Sequence, residues 1–247
     1  MAVRALVKGW NLPSVGELGE YGGGRHIRQG VLPTLENPQN LNLEVTDPDK
    51  DSGEDYFEFD IHTADTLQDE VERRGAVFGR GIVVVADEYD PDRVAETMRP
   101  LVESVHMATW TELAFRVGSL GPWEFEGWKW NTEDEELRPD SGIQAVVRDV
   151  RLLRTAIGES FSLPAEVRFG GTGVDDELTV PMLVQSPLWL RNHSERGDVI
   201  VGAGRIFTLS PDPEGIVQSL GDRNDLPRAP SWELLRLTLE PMGAADT

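Results

Sequence analysis

The stretch that decides the fold begins with Arg80-Gly81-Ile82-Val83-Val84-Val85-Ala86 and runs on to Trp128. Its first part is a run of β-branched residues, which predicts a buried strand. Asp90 and Pro91 follow as an N-cap and a first helical residue, because the missing N–H of proline costs nothing at that position. A helix is therefore expected over about residues 91–106. Two further strands are predicted, at Thr111–Val117 and Pro122–Trp128.

The apolar residues of this helix fall on one stripe, which favours packing against a sheet. They are Val94, Met98, Leu101, Val102 and Val105. Pro100 conflicts with a straight helix, since proline removes a backbone donor and clashes with the preceding turn. We therefore expect a kink or a break near Arg99.

Before this stretch, three strands and one helix are predicted. The strands are Ala2–Val7, Leu41–Val45 and Tyr56–Ile61, and the helix is Leu67–Arg74. Tyr56–Ile61 alternates polar and apolar side chains, which is typical of a half-buried strand. Asn11–Asn42 is rich in Gly, Pro and Asn and predicts a long irregular excursion. It is either an arm that reaches a neighbouring molecule or an ordered coil on its own domain.

After Trp128 the pattern is mostly that of strands. Asn131–Ser141 is predicted as a loop, and Ile143–Leu153 as a strand that returns to the same sheet. Further strands are expected at Ala165–Phe169, Leu178–Val184, Leu188–Leu190, Val199–Leu209 and Trp232–Glu240, and one or two helical turns at Gly215–Leu220.

The predicted fold class is therefore α+β and mostly β. An antiparallel sheet with one packed helix is expected first, followed by a β-sandwich-like C-terminal region. The pattern resets around Gly158–Pro164, which suggests two domains. The first is residues 1–157, with the long N-terminal arm and the helix, and the second is the β-rich region of residues 158–247.

Composition restricts the possible partners. The 247 residues carry a formal net charge of −21 and include only three lysines. Such a field repels nucleic-acid phosphates and anionic membranes, so neither is an expected partner. It favours solubility, basic protein partners or divalent cations, although adaptation to high salt would give the same composition. The absence of cysteine excludes disulfides, thiolate metal sites and a cysteine nucleophile. No apolar run is long enough to span a membrane, and folding in the cytoplasm is expected.

One acidic loop resembles a calcium site. Its candidate ligands occupy the ligand positions of an EF-hand loop. They are Asp47, Asp49, Asp51, the backbone of Gly53, Asp55 and Glu58. Against this, Ser52 stands where the loop needs glycine, and the flanking segments are predicted strands. Calcium binding and a solvated acidic hairpin both stay open, and no metal site is assigned.

Other motifs are weaker. Glycines at positions 16, 19 and 22–24 are followed by Arg25, His26 and Arg28, which could hold an anion, but the spacing fits no phosphate-binding fingerprint and a flexible hinge is favoured. The histidines are scattered. His193-Ser194-Glu195 contains the residue types of a hydrolase triad, but a triad is recognised by its geometry and not by adjacency in the sequence. Arg196-Gly197-Asp198 is interpreted as a plain turn. No catalytic, cofactor-binding or metal residue is therefore assigned, and the chain is predicted not to be an enzyme.

Residues 80–128 also resemble distal-tail and minor tail proteins of actinobacteriophages. The similarity lies in a strand, an Asp-Pro-led helix ending in Leu-Val, and a Leu-x-Phe segment. The matching residues are Arg80, Ile82 and Val84; Asp90, Pro91, Leu101 and Val102; and Leu113 and Phe115. This resemblance implies a ring-forming structural subunit with two β-rich domains.

The sequence therefore predicts a structural protein of a virion tail, a homo-oligomer that binds copies of itself and neighbouring tail proteins without a cofactor. Tryptophans suited to interfaces and the absence of catalytic motifs favour it. The alternative is an acidic immunity or inhibitor-type protein that binds a basic toxin or nuclease, which the net charge favours. A third hypothesis, an enzyme or calcium-dependent module, depends on the acidic loop alone.

Overall fold

The computed structural model confirms an α+β fold that is mostly β. It describes residues 2–11, 39–49, 55–86, 89–126, 128–131, 136–139, 142–221 and 226–240. None of the helices in these ranges has the length and apolar character needed to cross a bilayer. Most of the predicted N-terminal excursion, residues 12–38, lies outside the described residues.

The strands, in chain order, are β1 (Val3–Arg4), β2 (Leu6–Asn11), β3 (Gln39–Thr46), β4 (Asp55–His62), β5 (Ala76–Phe78), β6 (Ile82–Val85), β7 (His106–Met107), β8 (Trp128–Asn131), β9 (Glu136–Pro139), β10 (Ile143–Leu152), β11 (Ser162–Gly171), β12 (Val174–Gln185), β13 (Val199–Val201), β14 (Arg205–Thr208) and β15 (Arg228–Ala229). The helices are α1 (Ala64–Arg74), α2 (Pro91–Glu103), α3 (Trp110–Val117), α4 (Pro187–His193), α5 (Pro213–Gly221) and α6 (Trp232–Leu239).

A five-stranded sheet in the order β13-β6-β4-β3-β2 holds the N-terminal half of the fold. Its neighbours are antiparallel except for β4 and β6. The predicted alternation in β4 is confirmed: Phe57, Phe59 and Ile61 are buried on one face, opposite the buried Leu41 and Leu43 of β3. This apolar face is the one that α2 and α3 cover.

Helix α2 packs its predicted stripe on that face but is not broken by Pro100. The helix continues to Glu103, with Pro100 inside it, and ends three residues earlier than predicted. Val94, Met98 and Val102 are fully buried. The position near the C-terminus explains the outcome, because little helix follows the lost N–H bond and buried apolar contacts stabilise it.

The predicted strand at Thr111–Val117 is wrong, because these residues belong to α3. Thr109 is its N-cap, and its hydroxyl accepts from the Glu112 N–H while the Glu112 carboxylate accepts from the Thr109 N–H at 3.0 Å. This capping box is a helix start signal in the sequence. The predicted strand at Pro122–Trp128 is also wrong. Residues 124–126 form turns, Trp123 forms one isolated bridge to Phe57, and Trp128 begins β8.

Helix α3 lies between the two halves of the molecule. Leu113 and Val117 pack in the cluster under the five-stranded sheet, whereas Phe115 packs in the cluster of the six-stranded sheet. The C-terminal helix α6 holds it there: Thr238 donates its hydroxyl to the Phe115 carbonyl at 3.0 Å, and Arg116 donates to the Glu240 carbonyl at 2.6 Å.

The second sheet has six strands in the order β15-β10-β11-β12-β14-β5. The predicted strand at Ile143–Leu153 is present as β10. It was expected to join the first sheet, but it joins the six-stranded sheet instead. Val199–Leu209 is divided between the two sheets as β13 and β14. Leu188–Leu190 and Trp232–Glu240, predicted as strands, form α4 and α6, which Ser186 and Ser231 cap. Part of the predicted loop Asn131–Ser141 is strand β9, which pairs with β8.

One bent antiparallel ladder joins the two sheets. Residues 76–85 pair with residues 199–208. Phe78 pairs with Ile206 before the bend and Val83 pairs with Val201 after it, so both parts share one register. At the bend, Gly79 donates its N–H to the Arg205 carbonyl at 3.0 Å, and Gly202 donates to the Ile82 carbonyl at 2.8 Å. The predicted division into residues 1–157 and 158–247 stays a prediction, but this ladder and the β10–β11 pair both cross it.

A buried ion pair lies beside the bend. Arg80 donates from Nη1 to the Glu126 carboxylate at 3.0 Å and from Nε to the Gly118 carbonyl. The Arg80 and Glu126 side chains are only 4% and 13% exposed. Glu126 also accepts the Arg228 backbone N–H at 2.8 Å. The pair therefore connects the bend, the end of α3 and the edge strand β15.

Gly202→Ala should destabilise the protein by about 2 kcal/mol, because overpacking at a rigid contact forces the backbone apart. A Cβ at Gly202 would overlap the Gly79 carbonyl oxygen and lie 2.9 Å from the Ile82 carbonyl oxygen. Urea unfolding measures the change. Gly221→Ala, which points into open space, is the control and should change stability by less than about 0.5 kcal/mol. Equal stabilities of the two variants would contradict the tight crossing.

Glu126→Gln should cost about 3 kcal/mol, since it leaves the Arg80 guanidinium buried without its carboxylate. Glu166→Gln is the matched control, because the Glu166–Arg151 pair is exposed. Its loss should leave the free energy of unfolding nearly unchanged, because solvent screens an exposed pair. The comparison is made by urea denaturation, and a Glu126 variant as stable as its control would show that the buried pair contributes nothing.

Candidate interaction surface

On β3 and β4 of the five-stranded sheet, one face is not covered by any element of the described residues, and we call it the open face. Its members are the outward residues of β3 and β4 and one neighbour: Asn40, Asn42, Glu44, Tyr56, Glu58, Asp60 and Glu124. They alternate with the buried residues of the same strands. In the described part of the chain, two apolar clusters include buried residues of this sheet. One lies under the opposite face, and the other lies between β6 and the helices α1 and α4.

The open face is acidic, and part of it is fixed by hydrogen bonds. Asn40 faces Asp60 across the strands and donates from Nδ2 to its Oδ1 at 2.9 Å. Asn11 donates to the Glu44 Oε1 at 3.2 Å. Glu58 lies between them, exposed, and no described residue forms a hydrogen bond or ion pair with its carboxylate. The result is a row of carboxylates held at strand spacing.

These carboxylates repel one another. Partial burial, then repulsion by Glu58 and Glu70, raises the pKa of Asp60, with Arg74 opposing. Burial raises the pKa of Glu124 as well, and Asp55 and Glu58 add to it, against the hydrogen bond from the Tyr56 N–H. Keeping the acids ionised on this face therefore costs folding free energy at neutral pH.

The outer face of the six-stranded sheet is a useful contrast. It also carries acids, but arginines neutralise them: Arg151 pairs with Glu166, and Arg168 pairs with Glu177 at 3.3 Å and Asp149 at 3.8 Å. Among the described residues, the acids of the open face form no ion pair, whereas those of the six-stranded sheet named above do.

The structure separates two ligands of the proposed calcium loop. Asp55 lies on the inner face of β4, where its Oδ2 accepts from the Trp110 indole at 2.6 Å and the Trp123 indole at 3.1 Å. Glu58 points to the open face instead. Asp47 is buried and accepts the Asp49 N–H at 3.1 Å, and the residues 50–54 between lie outside the described part. No group suited to a metal occurs among the described residues.

The other sequence motifs do not form sites in the described residues. His193 stacks on Trp189 within α4 and bonds to its carbonyl, which leaves no triad geometry with Ser194 and Glu195. Arg196-Gly197-Asp198 is a turn, as predicted, in which Asp198 accepts the Glu195 N–H at 2.7 Å. The glycines 16–24, Arg25, His26 and Arg28 lie outside the described residues.

Sequence reasoning singled out Glu58 for calcium and did not identify the open face. The alternation of Tyr56, Glu58 and Asp60 was a usable signal, and Asn40, Asn42 and Glu44 repeat it. What the sequence does not show is that β3 and β4 lie side by side, and that helices cover only the opposite face.

Asp60→Asn should make the protein more stable than the wild type at pH 7, because it removes a charge that is partly buried and is repelled by Glu58 and Glu70. A carboxyl whose folded pKa is raised favours the folded state at low pH and loses that contribution as pH rises from the unfolded value toward the folded one. The advantage of the variant should therefore shrink as pH falls toward 3.8, the unperturbed value. Urea midpoints across this range measure it, and an advantage that grows on acidification would contradict the assignment.

Comparison with known proteins covers the same part of the chain. Residues 36–128 match the family model described as Immunity protein 8. The match spans β3 to the start of β8, less than half of the chain, and includes Glu44, Glu58, Asp60 and Glu124 of the open face. No curated protein and no solved structure matches the chain.

This match corrects the tail hypothesis. The resemblance to phage tail proteins was drawn from residues 80–128, which the immunity-protein model covers, and no tail-protein family matches. The predicted virion component, the self-assembling ring, the neighbouring tail proteins as partners and the virion location are therefore wrong. The match favours the alternative, an immunity or inhibitor-type protein, and a binding role over a catalytic one.

Proposed function

We propose that this chain is an immunity-type protein that neutralises a protein toxin by binding it, without catalysis. The observation that carries the proposal is the match of residues 36–128 to the Immunity protein 8 model. The matched segment supplies β3, β4 and β6, which are three strands of the five-stranded sheet, and the helices α2 and α3 packed on it.

Charge supports a basic protein as the partner. A net charge of −21 attracts a basic protein over a distance and speeds encounter, while it repels nucleic acid. A cytotoxic protein that acts on nucleic acid needs a cationic surface to bind its substrate. An acidic inhibitor is the matching counterpart of such a surface.

The test begins with affinity purification of the tagged chain from its native host and identification of the protein that accompanies it. That protein is then expressed alone and together with the chain. Expression alone should arrest growth, and co-expression should restore it, because binding removes the toxic activity. An unrelated protein of similar net charge is the control and should give no protection.

Affinity of the purified pair should fall as salt rises, since the attraction between the two charged surfaces is screened. Calorimetry from about 0.05 to 0.5 M NaCl measures it, and a loss of affinity of about tenfold or more is expected. A partner whose expression does not impair growth, or growth that the chain fails to restore, would refute the proposed function.

A further inference from the structure

We infer that the open face is the docking surface for a cationic protein surface of the kind that binds nucleic-acid phosphates. This inference rests on the proposed function, and it adds where the partner binds and what chemistry it presents. Its basis is a sheet face that no described element covers, the geometry of its carboxylates, and the Glu58 carboxylate, for which the described residues supply no partner.

Among the described residues, the open face and the outer face of the six-stranded sheet both carry exposed charged side chains, but arginines pair with the acids of the second face. The opposite face of the same sheet is sealed by α2 and α3, and β6 is sealed by α1 and α4. The open face carries amides and carboxylates instead, in which Glu58 and Asp60 are exposed. Such a face stays hydrated in the free protein and is accessible to a polar partner.

The carboxylates have a regular geometry. Glu58 and Asp60 lie two residues apart on β4, which places them about 7 Å apart on one face. Glu44 faces Tyr56 on the neighbouring strand, so it lies diagonally from Glu58 within reach of the same ligand. Anions at regular intervals along an extended backbone are also what a nucleic-acid strand presents. A carboxylate accepts the planar arginine fork in the same bidentate manner as a phosphate.

Two amides hold the flanking acids in place before a partner arrives. Asn40 binds Asp60 and Asn11 binds Glu44, while Glu58 between them has no described partner. Partial burial, then repulsion by Glu58 and Glu70, raises the pKa of Asp60. A cation placed beside Asp60 and Glu58 would stabilise the ionised carboxylates, which favours binding of positive charge on this face.

Other occupants fit the face less well. A second copy of this chain would bring the same acids against one another, which is repulsive. The outer face of the six-stranded sheet is a poor competitor for a cation, because Arg151 and Arg168 already occupy its acids. A cationic protein surface is the occupant that charge complementarity selects.

The first experiment maps binding of an arginine peptide of about ten residues, used as the probe, by amide NMR at about 0.15 M NaCl, where distant charges are screened. The largest shifts should fall on β3 and β4. The double variant Glu58→Gln with Asp60→Asn should weaken affinity by about tenfold. The control double variant Asp175→Asn with Asp176→Asn removes the same charge from exposed positions of β12. It should weaken affinity by less than about twofold.

Equal losses in the two double variants, or shifts centred on the six-stranded sheet, would overturn the inference by showing that only the overall charge matters. Urea unfolding of both variants is measured beside the titration. Because the substituted side chains are exposed, both should fold, and a face variant that folds normally but binds like the wild type also overturns it.

The second experiment uses the toxic partner identified by co-purification. The face variant should lose growth protection, the β12 control should keep it, and a short DNA duplex should displace the chain from the partner. Protection that survives in the face variant, or an absence of competition by DNA, sinks the inference while leaving the immunity function intact. If instead no toxic partner exists, the proposed function fails, and the peptide titration still decides whether the face selects cations.

Discussion

The structure depends on one antiparallel ladder that bends without losing its register. Residues 76–85 and 199–208 form it, and each of the three apolar clusters takes side chains from it. Phe78 packs in the cluster of the six-stranded sheet and Val83 in that of the five-stranded sheet. The close approach of Gly79 and Gly202 lies between them. The buried Arg80–Glu126 pair sits beside this bend and ties α3 and β15 to it. Because the ladder belongs to both sheets, neither sheet can move independently of the other at this point.

Much of the local structure could be predicted from the sequence. The alternation in β4 and the start of α2 at Asp90 were strong signals because burial and capping act on neighbouring residues. Three segments read as strands are helices, and in each a side chain at the N-cap decides the outcome: Thr109 for α3, Ser186 for α4 and Ser231 for α6. Leu-rich apolar runs of this length fit either structure, so the cap was the informative residue.

The candidate site was harder to predict than the fold, because it exists only after distant segments pair. Glu58 attracted attention as a calcium ligand through its spacing from Asp47, yet the strand period places Asp55 on the other face. The family match favours the immunity-type alternative that net charge suggested, and not the resemblance of residues 80–128 to tail proteins. Charge acts over the whole molecule and survives errors in local assignment, whereas a strand–helix–strand order recurs in unrelated families.

The bent ladder also bears on how the segment of residues 36–128 could be used alone. Cut out, that segment would lose β13, and the β6 backbone would become an open edge carrying Val83, Val84 and Val85. An apolar edge of this kind invites pairing with other chains and aggregation. It would also lose β2, with Asn11 and its bond to Glu44. Residues beyond the segment therefore cover both of its strand edges, and a shortened chain would need a replacement strand at each edge of the sheet.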